Sequence, residues 1–103
     1  LIDNFIDETT ISILSKKEKN VKVVLLTKLI AKQLKTDIEK ANKQYGNFSV
    51  KQFTKSHDRF LIIDNTEIYH LGASLKDLGK KWFAFSKMDK FSVESILNSL
   101  KDI

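Results

Sequence analysis

The sequence predicts an α/β fold: a mixed, mostly parallel sheet with an antiparallel hairpin, and helices packed on its faces. Three observations predict it. Strand-like and helix-like segments alternate through the first half of the chain. VKVVLLT, residues 21–27, is apolar almost throughout, as in a strand buried on both faces. Residues 59–63 and 67–71 are two apolar runs separated by a short polar turn, the mark of a hairpin.

The elements follow in order. LIDNFI reads as a strand ending near Asp3–Asp7. Asp7 is placed to cap a helix through ETTISILSKKEK, with Ile11 and Leu14 at helical spacing. After strand 21–27, a helix is predicted over residues 29–45. Its positions Ile30, Leu34, Ile38 and Ala41 form one apolar stripe, and Lys32, Lys35, Glu39, Lys40 and Lys43 lie outside it. Gly46-Asn47 ends this helix, and FSVKQF, 48–53, alternates as a strand does. Beyond the hairpin, WFAF at 82–85 is a further strand. Ser92 then caps a last helix with Val93, Ile96, Leu97 and Leu100 inside. The strand–helix–strand units favour parallel neighbours through right-handed crossovers.

At 103 residues the chain makes one domain, 1–103. No stretch approaches the roughly 20 apolar residues that span a bilayer, so no membrane partner is expected. LIDNFIDETT lacks the basic and apolar regions of a signal peptide. The first residue is not Met and the chain enters at once on a strand, which predicts a fragment of a longer protein. The absence of cysteine excludes disulfides and Cys-ligated metals and fits a reducing cytoplasm. No cofactor is called for. A net charge of +5 favours polyanionic partners, although lysine is spread along the chain. Arg59 is the sole arginine among 18 basic residues. Its planar fork suits phosphate and carboxylate in a way that lysine does not.

With a hairpin turn centred on Asn65-Thr66, Leu61 pairs with His70, Arg59 with Gly72, and His57 with Ser74. Strand residues alternate faces, so His57, Arg59, His70, Gly72 and Ser74 are predicted to share one side at the end far from the turn. Gly72 then leaves open space opposite Arg59, and the group outlines an anion-sized pocket. Asp64, seven residues from His57 and of opposite parity, is roughly 23 Å away along an extended strand. It is therefore a turn or structural residue rather than a partner of His57. His70 reads as a buried packing histidine. Lys76, Lys80 and Lys81 either guide a nucleic-acid backbone or form a solvated loop. Trp82, Phe83 and Phe85 suit core or dimer-interface packing, with base stacking as the alternative. Asp3 and Asn4 border the pocket if the first strand is central.

The pattern His57-x-Arg59-x4-Asp64-x7-Gly72-x-Ser74 resembles the His-x-Lys-x4-Asp motif and downstream Gly-x-Ser/Asn of the phospholipase D superfamily. The resemblance spans nearly the whole chain. It is closest to short one-motif bacterial domains of phage-related, DNA-linked proteins, where a run like HDRFLIID…GASLKDLGKKWFAFSK is typical. It implies half of that superfamily's fold and a metal-independent phosphodiesterase or nuclease. His57 would be the nucleophile forming a phosphohistidine, Arg59 would stand in the Lys position, Ser74 would contact phosphate, and Asp64 would fill the family's Asp position. A single motif implies a homodimer that pairs two such histidines. Arg59 for Lys puts turnover in question more than anion binding. This leaves a second reading, a non-catalytic domain that binds polyanions or mediates dimerisation for an attached DNA-linked regulatory module. Lipid hydrolysis has no amphipathic membrane-binding segment to support it.

Overall fold

Asp7 starts the first helix as its sequence position predicts. Its carboxylate accepts from the backbone N–H groups of Thr9 and Thr10, and the Thr10 hydroxyl accepts from the Asp7 N–H, a reciprocal cap. The computed structural model describes residues 1–77, 80 and 84–101. Within them the order is α1 (Glu8–Leu14), β1 (Val23–Thr27), α2 (Lys32–Gln44), β2 (Phe48–Gln52), β3 (Arg59–Ile63), β4 (Glu67–Leu71), a 3-10 turn at Leu75–Asp77, β5 (Phe85–Lys87) and α3 (Lys90–Ser99). The class is mixed α/β, with two small sheets, one parallel and one antiparallel.

β1 and β2 pair in parallel around the α2 crossover, with Leu25 opposite Val50. α2 ends at Gly46 and Asn47, whose φ values of 76° and 64° are left-handed and break the helix. Of the predicted stripe Ile30, Leu34, Ile38 and Ala41, the last three are buried; Ile30 precedes α2 and is only partly buried against them. With Ile11, Leu25 and Phe48 the three buried residues form the larger core cluster, on the sheet face that α1 and α2 cover. A second cluster of Ile2, Leu26 and Phe53 lies on the other face, with Phe60, Ile62 and Leu100 packed against it. The split follows strand parity, because Leu25 and Leu26 are neighbours that point to opposite faces.

The first residues join the two sheets. Ile2 bridges Leu26 in parallel and Phe60 in antiparallel fashion. The predicted first strand is thus central, although only a short bridge long. It is flanked by β1 on one side and β3 on the other. Antiparallel pairing exceeds parallel pairing, a correction to the mostly parallel expectation: β5 adds to the hairpin with Tyr69 opposite Lys87.

Several boundaries differ from the sequence reading: β1 begins at Val23 rather than at 21, and α2 at Lys32 rather than at 29. α1 stops at Leu14, because beyond it the sequence runs into the polar stretch SKKEKN. Asp89, not Ser92, caps α3: its carboxylate accepts from the Ser92 N–H at 2.8 Å, and this contact holds the carboxyl below its ordinary range. The predicted strand 82–85 meets the described residues only at 84 and 85. Trp82 and Phe83 lie outside them, and β5 runs over Phe85–Lys87. Among the described residues no helix is long and apolar enough to cross a membrane.

The hairpin register is the consequential correction. β3 and β4 pair with Arg59 opposite Leu71, Phe60 opposite His70 and Ile63 opposite Glu67. Asp64 and Asn65 both take left-handed φ, 53° and 54°, and the Ile63 carbonyl accepts from Thr66 N–H at 3.1 Å. The turn therefore takes Asp64 and Asn65 as its central pair and leaves Thr66 as an extra residue. The partner of every β3 residue is one position earlier in the chain than the Asn65-Thr66 turn predicts, which moves side chains to the opposite face. Replacing Asn65 by Val should destabilise the fold by about 1–2 kcal/mol, since a left-handed φ is costly for a β-branched side chain. Asn65→Gly should be neutral or stabilising, and urea titration of both variants measures the difference.

Candidate functional site

The first residues and β1 run parallel and β3 runs against them, so one edge of the sheet collects several polar groups. Asp3 and Asn4 leave the central bridge there. Lys28 follows β1, residues 54–58 connect β2 to β3, Arg59 opens β3, and Gly72–Ser74 leave β4. His57, Arg59, Gly72 and Ser74 are thus gathered at one edge, but not in the predicted arrangement.

Ser74 does not face His57. It is buried, and its hydroxyl donates to Asp3 Oδ1 at 3.0 Å. Asp3 is wholly buried. A buried carboxylate must be satisfied, and Asp3 accepts two further bonds, from Phe5 N–H at 2.9 Å and Leu75 N–H at 3.3 Å. Asn4 extends this network. Its amide donates to the Ser56 carbonyl at 3.4 Å and its Oδ1 accepts from Lys28 N–H at 2.9 Å. Asp3 and Asn4 therefore tie the segment before His57 to the segment around Ser74.

Gly72 is also reassigned. It does not open a space opposite Arg59: its N–H donates to the Ala84 carbonyl at 2.7 Å, and a Cβ built on Gly72 would lie 2.6 Å from that oxygen. Glycine is required by this backbone approach. Arg59 reaches Gly72 through Nη2, which donates to the Gly72 carbonyl at 3.2 Å. Its Nε is buried with no partner among the described residues.

His57 precedes β3, is exposed, and makes no hydrogen bond or ion pair among the described residues. His70 sits on the face opposite Arg59's. Its ring tilts against Phe60 with centroids 5.5 Å apart, and Nε2 lies 3.7 Å from Asp58 Oδ1. Its ring packs on Phe60 rather than lying opposite Leu61, but the side chain is 39% exposed, so His70 is not the buried packing histidine expected from the sequence. Asp64 is in the turn at the other end of β3, as the spacing argument requires.

Of the lysines, Lys76 turns to α1, with Nζ 3.6 Å from Asp7 Oδ2 and 5.9 Å from the Phe5 ring centre. Lys80 is exposed, and Lys81 lies outside the described residues. Phe85 is exposed on the edge strand and meets the Tyr69 ring edge-on at 6.2 Å, so it is no core residue. Among the described residues no cluster of three His, Cys, Asp or Glu side chains is placed to hold a metal ion. Comparison with protein-family models, with curated proteins and with solved structures finds no match.

The sequence reading missed Ser56, Asp58 and Lys28. Two of them enter through backbone groups, which leave no residue-type signal. Asp58 was in view beside His57, but the slipped register hid its neighbour His70. Asp3→Ala should destabilise by about 1–3 kcal/mol or more, because it strands the Ser74 hydroxyl and the Leu75 N–H. Ser74→Ala should cost less, since Asp3 keeps two donors. Gly72→Ala should cost about 1–3 kcal/mol through its clash with the Ala84 backbone. Chemical denaturation of the three variants checks this ranking.

Proposed function

We propose that the chain is a phospholipase D-like domain that engages phosphodiesters of nucleic acid at this sheet edge. In this reading it hydrolyses them as a homodimer through His57. The observation that carries the reading is the state of His57: exposed, without a polar partner among the described residues, and held between two fixed points. One point is Ser56, anchored by Asn4; the other is Arg59, anchored in β3. A ring nitrogen of His57 attacks phosphorus as the bond to the leaving oxygen breaks. That oxygen takes a proton from the protonated His57 of the partner subunit. Water, deprotonated by the same partner histidine, then displaces the phosphoryl group from the ring nitrogen. Arg59 stabilises the charge on the non-bridging oxygens.

The second reading, binding without turnover, also has an observation in its favour. Arg59 already donates to the Gly72 carbonyl, and Ser74 already donates to Asp3. Two of the three groups assigned to phosphate are thus held by the fold itself. A domain of this kind would bind polyanions or mediate dimerisation for an attached regulatory module.

One set of measurements separates the readings. The enzyme reading expects cleavage of single- or double-stranded DNA or RNA in EDTA, a trapped phosphohistidine, and loss of both in His57→Ala. Absence of EDTA-resistant cleavage by the wild-type chain would overturn it. The binding reading expects association that weakens steeply with salt and falls in Arg59→Ala, with no product formed. Salt-independent association, or none, would overturn the polyanion form of it.

A further inference from the structure

Ile2 and Phe60 exchange both backbone bonds, at 2.8 and 3.0 Å, in an antiparallel bridge. Carried one residue further, this register sets Asp3 opposite Arg59. Carried two more, it sets Phe5 level with His57. The pairing itself stops at the bridge. Asn4 bends away, and its side chain rather than its backbone crosses to the other strand, at the Ser56 carbonyl next to His57.

The side chains of Ile2 and Phe60 join the cluster of Leu26 and Phe53. Their neighbours Asp3 and Arg59 therefore point to the opposite side of the sheet, the side of α1. The contacts agree. Asp3 meets Ser74 and Leu75, Arg59 meets the Gly72 carbonyl, and α1 packs on the turn at Leu75–Asp77. Phe5 is on this side too, since its ring centre lies 5.9 Å from the Nζ of Lys76 in that turn. The ring belongs to neither core cluster and is 59% exposed. Its backbone is nevertheless fixed, because the Phe5 N–H donates to the buried Asp3 carboxylate at 2.9 Å. An exposed aromatic ring on a tethered backbone thus stands at the edge that carries His57 and Arg59, with a cation at its rim.

We infer that Phe5 is a stacking platform for the base next to the bound phosphodiester, which makes the substrate class single-stranded nucleic acid. The inference rests on the phosphodiester reading of His57 and Arg59 and adds to it a contact with the base. A base stacks on an aromatic ring through its flat face, whatever its sequence. In the interior of a duplex both flat faces are covered by the neighbouring pairs, so a single strand is what can offer one. The phosphate lies with Arg59 and His57, the adjoining base lies on Phe5, and Lys76 brings positive charge to the same strand. Binding then has two parts that can be separated. The cations answer to phosphate and weaken with salt, and Phe5 answers to the presence of a base.

The test measures binding by the His57→Ala chain, so that no strand is cut. Its probes are a single-stranded thymidine octanucleotide, an abasic strand of the same length and charge, and the octanucleotide annealed to its complement. The thymidine strand should bind about tenfold more tightly than the abasic one, the worth of one stacked base. Phe5→Ala should remove that difference and leave the abasic strand and the duplex unchanged, while Phe5→Tyr should keep it. Because the ring is exposed, the urea midpoint should stay the same in both variants. Equal binding of the thymidine and abasic strands would overturn the inference. So would a loss in Phe5→Ala shared by all the probes. Absence of any binding would overturn it together with the phosphodiester reading. EDTA-resistant cleavage by the native chain tests that reading separately: if cleavage is absent while the Phe5-dependent preference persists, the nuclease assignment falls and the base platform stands.

Discussion

The two small sheets form one molecule because the backbone around Ile2 is shared between them. Ile2 exchanges hydrogen bonds with Phe60, and its neighbours Leu1 and Asp3 bond to Leu26. A two-stranded sheet and a three-stranded sheet would each be marginal alone. Joined through three residues, they present one continuous surface on which α1 and α2 cover one face. The side chain of Ile2 fixes the other face, since Leu26 and Phe53 bury against it and Phe60 and Ile62 close around it. Weakening this bridge would open both clusters at once, because Leu1 packs on the α1 side and Ile2 on the other.

The same bridge forces a carboxylate into the interior. Asp3 follows Ile2 and is wholly buried, and its burial is tolerated because three donors meet it. Two of those donors come from Ser74 and Leu75, distant in sequence. The ion is thus also a clasp that sets where the chain goes after β4. Gly72, two residues before Ser74, lies against Ala84 for the same reason: once Ser74 is held, the path out of β4 is confined. The polar edge of the sheet is first a structural joint, and any binding role is built on that joint.

This explains which parts were legible in the sequence. Periodicity alone found the α2 stripe, both hairpin strands and the β1 core, because burial imposes those patterns residue by residue. Asp7 and Gly46-Asn47 were legible because capping and left-handed backbone select particular residue types. The register of the hairpin was not. Asp64-Asn65 and Asn65-Thr66 are both acceptable central pairs by composition, and only the backbone decides between them. That choice of one residue moved His70 across the sheet from Arg59 and removed Ser74 from His57. The pairing of Asp3 with Ser74 was illegible for a different reason. It depends on the first strand lying centrally, which no local pattern encodes.

The groups gathered at the edge differ in how readily they could change partners. Ser74 donates to a buried carboxylate, out of reach of solvent, and releasing it would leave the Ser74 hydroxyl buried without that acceptor and Asp3 with two of its three donors. Arg59 donates to a neutral carbonyl at 3.2 Å in an exposed position. A phosphate oxygen is the stronger acceptor for a guanidinium, roughly twofold in bond strength. An incoming phosphodiester could therefore draw Arg59 away from Gly72 at small cost while leaving Asp3 and Ser74 intact. Gly72 would lose a side-chain contact to its carbonyl but keep its N–H bonded to Ala84. Under the proposed phosphodiester reading, anion contact at this edge would depend on Arg59 beside an exposed His57, while the Gly-x-Ser segment holds the backbone in place. That division suits a site in which the fold keeps its own polar bonds and only the outermost cation exchanges partners.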